Sequence, residues 1–187
     1  MKKIVLFASG SGSNVENIVN FFAKNDKVEI SLVLTNNPNA YVIERCGQLG
    51  VTCRVFGRKE FRETGSVLEQ LQGIAPDLIV LAGFLWLVPS DIVKAFPRRI
   101  INIHPALLPK FGGKGMYGHH VHQSVVDNKE SETGITIHYV DENYDEGDVI
   151  LQTTCPVEAS DSADDVAKKV HQLEYEYFPK VVESLLR

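Results

Sequence analysis

Short apolar runs rich in β-branched residues, separated by segments of helical length, restrict the fold of this chain more than any other feature. The runs lie at Lys3 to Ala8, Glu29 to Thr35, Val51 to Val55, Asp77 to Ala82 and Arg99 to His104. Helix-like segments fall between them at Asn14 to Ala23, Ala40 to Leu49, Phe61 to Ile74 and, more briefly, Ser90 to Ala95. A strand that returns through a helix pairs parallel to its predecessor, and strand twist makes the crossover right-handed. The pattern therefore predicts an α/β fold: an open, mainly parallel twisted sheet with helices on both faces. Beyond Pro105 the pattern changes. Thr133 to Tyr139 and Val149 to Val157 read as two strands joined by a short acidic loop, an antiparallel C-terminal addition. Ser162 to Leu186 reads as a closing helix, with Asp161, Asp164 and Asp165 early and basic residues late to suit its dipole. Pro179 is expected to kink that helix or to begin a second one.

A chain of 187 residues is the size of one domain, here residues 1–187. The longest apolar runs, such as Leu78 to Ala82, are far too short to cross a bilayer, and Gly10 ends the first stretch as a strand rather than a signal peptide. Cys46, Cys53 and Cys155 are odd in number and form no C-x-x-C pair, which fits a reducing cytoplasm and indicates neither a disulfide framework nor a zinc site. A net charge of -5 without a Lys/Arg run excludes a nucleic-acid partner and points to small molecules.

Four constellations carry possible chemistry. Ser9-Gly-Ser-Gly-Ser-Asn14 stands between the first strand and the first helix, where glycines turn backbone amides toward a ligand and a helix N-terminus favours a monophosphate. The alternative is a plain turn with Ser13 or Asn14 as N-cap. Val15 replaces the third glycine of a dinucleotide fingerprint, and no lysine follows Gly12, so NAD and a P-loop are disfavoured. Asn102 and His104 share one side of a strand end, and together with Asp145 they supply the amide, imidazole and carboxylate needed to hold an oxyanion and move protons. No serine or cysteine adjoins His104, so direct transfer is more natural than a covalent intermediate, with Cys155 the remaining nucleophile candidate. Gly112 to Gly118 is a glycine-rich loop able to cover the site, and the neighbouring His119, His120 and His122 complete no i, i+4 metal pair. Phe84-Leu-Trp-Leu-Val-Pro89 either lines a pocket for a flat aromatic ligand or packs in the core.

These elements in this order, with Leu81-Ala-Gly-Phe84, Asn102-Ile-His-Pro-Ala-Leu-Leu-Pro109, His138 to Gly147 and Val149-Ile-Leu-Gln152, closely resemble the phosphoribosylglycinamide formyltransferases, folate-dependent enzymes of purine synthesis. The resemblance covers nearly the whole chain. It implies that Gly12, Ser13 and Asn14 hold the 5'-phosphate of glycinamide ribonucleotide, with Glu174 on the ribonucleotide. It implies that Asn102, His104 and Asp145 are catalytic and that the formyl donor is 10-formyltetrahydrofolate, with no metal. It also implies a pterin pocket formed by Leu85, Trp86, Leu87 and Val88 with the Asp141, Glu142, Asn143, Tyr144 and Asp145 loop, and Arg62 near the folate, Arg58 being the competing choice. The implied mechanism is attack by a neutral amine on the formyl carbon. Asn102 and a protonated His104 steady the oxyanion, and Asp145 assists proton movement directly or through water.

Two positions depart from the family pattern. The stretch Phe111 to His119 is longer, and Trp86 stands where an arginine is common. A methionyl-tRNA formyltransferase would need a further domain and a basic surface, and a formyltetrahydrofolate deformylase a regulatory domain, for which this chain is expected to have no room. From another class, a catalytically silent nucleotide-binding module would keep the phosphate loop alone. The expected assembly is a monomer or homodimer.

Overall fold

The computed structural model describes Met1–Arg187. Strands β1 (Lys2–Phe7), β2 (Val28–Thr35), β3 (Cys53–Val55), β4 (Leu78–Leu81), β5 (Ile100–His104), β6 (Glu132–Tyr139) and β7 (Val149–Pro156) form one sheet in the order β3-β2-β1-β4-β5-β6-β7. The first five pair in parallel; β6 and β7 are antiparallel. The helices are α1 (Ser13–Phe22), α2 (Val42–Leu49), α3 (Arg58–Arg62), α4 (Ser66–Ile74), α5 (Ser90–Ala95), α6 (His119–Asp127) and α7 (Ala163–Leu185).

Both faces of the sheet are covered at its centre, which is why β1 and β4 read as unbroken apolar runs rather than as alternation. In β1, Ile4 and Leu6 enter a core with Ile18 of α1, Val125 of α6 and Val170 and Phe178 of α7. Val5 and Phe7 enter the opposite core with Phe61, Leu71 and Ile92 of α3, α4 and α5. Each such side chain contributes about 1.5–3 kcal/mol when fully buried. Strand order reverses between β1 and β4: β2 and β3 lie to one side, β5 to the other. Connections leave a reversal point in opposite directions, so a crevice opens beyond the carboxyl ends of these strands.

Three local features differ from the sequence reading. The expected helix Phe61 to Ile74 is two helices, because Gly65 takes a left-handed conformation at φ 71° and starts α4 afresh. Pro179 begins no second helix; α7 runs through it. A proline cannot donate to the carbonyl four residues earlier, here Tyr175, and Asn17 Nδ2 of α1 donates to that carbonyl instead at 3.0 Å. Finally, the histidine-bearing segment is a helix, α6, whose inner face is Val121, His122 and Val125. No helix of the molecule is long and apolar enough to cross a membrane.

Candidate active site

A cleft of about 840 Å³ opens at the reversal point, walled by the segments that follow β1, β4 and β5 and by parts of α6 and α7. Its middle holds the predicted amide, imidazole and carboxylate. Asn102 and His104 leave the end of β5 on the same side, two residues apart, while Asp145 arrives from the loop between β6 and β7. That loop turns back through Asp145 itself, at φ 57°, a conformation aspartate tolerates better than most residues. Asp145 Oδ1 accepts from Asn102 Nδ2 at 3.4 Å, and Oδ2 accepts from the Gly113 amide at 3.0 Å. Asp145 Oδ2 also lies 3.5 Å from His104 Nδ1.

His104 is buried, and its Nε2 lies 2.7 Å from the Phe111 carbonyl. A carbonyl only accepts, so that nitrogen carries the proton. Burial pushes the imidazole below the ordinary histidine range, outweighing the opposing pull of the Asp145 charge and the Phe111 carbonyl. The other ring nitrogen, Nδ1, faces the Asp145 carboxylate, so both nitrogens of the ring have an acceptor beside them. Phe111 holds its carbonyl there from a left-handed conformation, φ 55°, rare for so bulky a side chain. Donation by His104 Nε2 to a ligand requires this carbonyl to give way. For Asp145, burial favours the neutral acid, but the polar groups around it, the Gly113 N–H among them, hold it below the usual carboxylate value.

One end of the cleft is built for an anion. Gly12, at φ 74°, is the N-cap residue of α1, and neither Ser13 nor Asn14 caps the helix with its side chain. The first helical bond runs from the Glu16 N–H to the Gly12 carbonyl, leaving the Ser13, Asn14 and Val15 N–H groups without a helical acceptor. A Cβ on Gly12 would meet Val42 of α2 at 2.5 Å, so both the turn and the packing call for glycine. The Asn14 side chain turns away from the turn and donates to buried Glu174 of α7 at 3.1 Å, while its Oδ1 is sealed without a partner. His171 Nδ1 lies 2.8 Å from the same Glu174 oxygen, which raises the His171 pKa above its ordinary value. His122 faces this group from α6; burial first, then the His171 charge, push it down to about 4.

The other end is apolar. Phe84 and Val88 are buried and pack in the core, whereas Leu85, Trp86 and Leu87 form cleft wall. Phe84 and Trp86 join Phe56, Phe61 and Phe7 in an edge-to-face cluster whose neighbouring centroids lie 5.1–6.3 Å apart. Truncating Phe7 at its centre costs about 3–5 kcal/mol by the usual range for buried aromatics. The segment's backbone is pinned: Leu85 N–H donates to Ser9 Oγ at 3.0 Å, Leu87 N–H to the Tyr144 hydroxyl at 3.1 Å, and Arg62 donates to the Leu87 carbonyl at 3.0 Å.

The cleft thus brings together Gly12, Ser13, Asn14, Leu85, Trp86, Leu87, Val88, Asn102, His104, Asn143, Tyr144, Asp145 and Glu174. Arg62, Asp141 and Glu142 do not line it. Arg62 supports the wall from behind, Asp141 accepts from the Asn143 amide at 2.8 Å, and Glu142 pairs with Lys94 at 3.2 Å. Arg58 does line the cleft, its guanidinium 5.1 Å over the Trp86 ring. Cys155, on β7, is outside the cleft, and burial pushes its thiol up, against a nucleophilic role. Sequence reasoning missed His138 and His171. Each was readable only as a polar residue on an otherwise apolar strand or as the neighbour, three positions earlier, of Glu174.

The formyl transferase family model matches residues 2–182. The chain is 35% identical over 191 residues to phosphoribosylglycinamide formyltransferase of Bacillus subtilis, covering 100% of this chain and 95% of that protein. It is equally 35% identical to the chloroplastic phosphoribosylglycinamide formyltransferases of Vigna unguiculata and Arabidopsis thaliana, of whose lengths it spans 61% and 65%. Among solved structures, glycinamide ribonucleotide transformylase 1 of Geobacillus kaustophilus superposes with a TM-score of 0.90 at 35% identity, covering all of both chains. Phosphoribosylglycinamide formyltransferase of Streptococcus pneumoniae superposes at 0.87 and 36%, again over all of both chains. Sequence family, fold and site order agree, and the chain belongs to the formyl transferase family, with the phosphoribosylglycinamide formyltransferases as its relatives.

Proposed function

We propose that this protein transfers the formyl group of 10-formyltetrahydrofolate to the amine of glycinamide ribonucleotide. The products are N-formylglycinamide ribonucleotide and tetrahydrofolate, and the step belongs to purine biosynthesis. One observation carries the reading: Asn102, His104 and Asp145 converge in the middle of a single cleft, between a helix N-terminus suited to a phosphate and an apolar wall suited to a flat ring.

The slot walled by Leu85, Trp86, Leu87 and Tyr144 fits a pterin, whose ring faces need apolar contact. When bound, the folate supplies the formyl carbon and a leaving nitrogen. The backbone amides at Ser13 and Asn14 hold the phosphate of the ribonucleotide, and Glu174, already fixed by Asn14 and His171, accepts from ribose hydroxyls. Juxtaposition of two substrates supplies much of the rate. Asn102 donates an amide N–H to the developing oxyanion. His104 donates through Nε2–H once the Phe111 carbonyl withdraws, its other nitrogen turned to the Asp145 carboxylate. Asp145, kept ionised, takes the proton of the attacking amine directly or through water and passes it to the leaving nitrogen as the tetrahedral centre collapses and its bond to that nitrogen breaks. Residues 1–187 act as one domain in the cytoplasm. Every group named comes from one chain, so the proposed chemistry needs no second copy.

Two results follow from the phosphate end. Gly12→Ala forces a Cβ into Val42 and strains the turn, so KM for glycinamide ribonucleotide is expected to rise about tenfold or more, about 1.4 kcal/mol, with a smaller change in kcat. Steady-state kinetics with the folate saturating check this; an unchanged KM would remove the phosphate from this turn. The second concerns pH. Because the folded-state pKa of His171 is raised, its pairing with Glu174 adds stability that is complete below the unfolded value of 6.5 and is lost as pH rises through the folded value. The Tm advantage of wild type over His171→Gln should accordingly shrink as pH rises above 6.5. A gap that is flat or widens with pH contradicts the pairing. The reading as a whole is tested by calorimetric titration with glycinamide ribonucleotide and with its dephosphorylated riboside; equal affinity for the two would reject it.

A further inference from the structure

His138 has no role in the reaction as described so far, yet it is almost wholly buried against the reacting groups. It sits on β6 directly opposite Asn102 of β5 in the sheet register. Its Nδ1 lies 2.8 Å from the Tyr139 carbonyl, the next residue in its own chain. Because a carbonyl only accepts, Nδ1 carries the proton of the neutral ring, and Nε2 is left with a lone pair. That lone pair faces Asn102 Nδ2 at 3.2 Å, with the Asp145 Oδ1 oxygen farther off at 3.6 Å, beyond hydrogen-bond reach. The other neighbour of the same amide nitrogen is Asp145 Oδ1 at 3.4 Å. Both neighbours are acceptors, so the Asn102 amide has one satisfactory orientation, nitrogen toward His138 and Asp145, whichever way the two amide heavy atoms are assigned.

We propose that His138 is a positioning residue: its Nε2 lone pair fixes the rotation of the Asn102 amide, so that the second N–H stays directed at the reacting centre. The inference rests on the reading of Asn102 as an oxyanion donor. One amide hydrogen is committed to the well-formed bond with His138. The other makes only the long bond to Asp145 and is the one free to transfer to a developing oxyanion. Without an acceptor at the Nε2 position, only the long bond to Asp145 opposes rotation of the amide, which then presents its carbonyl oxygen to negative charge for part of the time. A donor that must be reoriented during the reaction loses the benefit of preorganisation.

The two amide residues separate this role from a purely structural one. His138→Asn places its side-chain N–H2 where Nδ1 was and keeps the bond to Tyr139, but offers nothing at the Nε2 position. His138→Gln reaches the Nε2 position with a carbonyl oxygen that accepts from Asn102. The expected outcome is a fall in kcat of about thirty- to a hundredfold for His138→Asn and about three- to fivefold for His138→Gln. KM for both substrates should stay within about twofold in each variant, because no ground-state contact is removed. The side-chain 15N–1H signals of Asn102, assigned by their loss in Asn102→Ser, report the orientation without any turnover. The hydrogen bonded to His138 should exchange slowly in the wild type and in His138→Gln, and rapidly in His138→Asn. Equal losses in the two variants, the reverse order, or an Asn102 signal indifferent to residue 138 would each overturn the proposal. If wild type forms no formylated ribonucleotide, the proposed function fails, and the Asn102 signals still decide whether His138 orients the amide.

Discussion

Asp145→Asn is expected to lower kcat about a thousandfold, within the usual range of general acid–base contributions, while the protein folds normally. The carboxylate meets four groups, Gly113, Asn102, His104 and, 3.6 Å from Oδ1, His138 Nε2, and the substitution treats them unequally. The Gly113 N–H, 3.0 Å from Oδ2, can still donate to an amide oxygen. Asn102 Nδ2, 3.4 Å from Oδ1, would face a second N–H2 if the new amide keeps its oxygen toward Gly113. No orientation of an asparagine restores an anion beside His104, and none accepts the proton of the attacking amine. The loss should therefore fall on kcat and kcat/KM alike, with both KM values little changed. Stability gives a second readout. The native Asp145 pKa lies below the ordinary aspartate value of 3.8, so the carboxylate adds stability that is present above 3.8 and is lost as pH falls through the folded value. The difference in Tm between wild type and variant should narrow in that acidic window. Near-normal turnover in the purified, folded variant would remove Asp145 from the chemistry.

Gly147→Ala carries the second large effect, and it strikes the loop rather than the acid. A Cβ at this position collides with the Tyr139 carbonyl oxygen and lies close to the Tyr139 carbonyl carbon, both backbone atoms that no rotamer change can move. Tyr139 N–H donates to the Asp148 carbonyl at 2.9 Å, so the collision falls at the base of the loop where β6 and β7 are tied together. The sheet register already shifts here, between Ile137 and His138. Relief requires the two strands to part locally and Asp145, two residues away, to move. The expected cost is about 1–3 kcal/mol, as for other overpacked sites, or a Tm lower by roughly 2–10 °C for a chain of this size. Activity should fall by about a hundredfold or more, because misplacement of a catalytic group by an ångström is enough for a loss of that size. Differential scanning calorimetry with steady-state kinetics on the same sample checks both; full activity at unchanged Tm would mean that the loop is not held as described.

Much of this arrangement is legible before any coordinates. The runs at Ile4, Val33, Val80 and Ile101 carry apolar residues at successive positions rather than alternate ones because both faces of the sheet are covered there, and that pattern is local. The strand-to-helix glycines at Gly10 and Gly12 and the same-side pair Asn102 and His104 are equally local signals. What the sequence hides depends on partners far along the chain. Asn17 is an ordinary helix-surface residue until it supplies the hydrogen bond that lets α7 pass Pro179, more than 150 residues later. Helix α6 was obscured by glycines before it and by histidines read as a metal question, although Val121 and Val125 already had helical spacing. Arg58 and Arg62 differ by a single turn of α3, and which one reaches the cleft is set by the direction of that short helix rather than by either residue. The capping of His104 by the Phe111 carbonyl rests on a left-handed phenylalanine that no propensity would suggest.

The most direct measurement is the product stoichiometry of the wild-type protein supplied with glycinamide ribonucleotide and 10-formyltetrahydrofolate carrying a 13C-labelled formyl carbon. Mass spectrometry should find the label on the ribonucleotide amine, appearing in step with tetrahydrofolate, one for one. Labelled formate with tetrahydrofolate and no formylated ribonucleotide would make the cleft a hydrolase site, and ribonucleotide binding without any turnover would leave it a silent nucleotide pocket; either result contradicts the account.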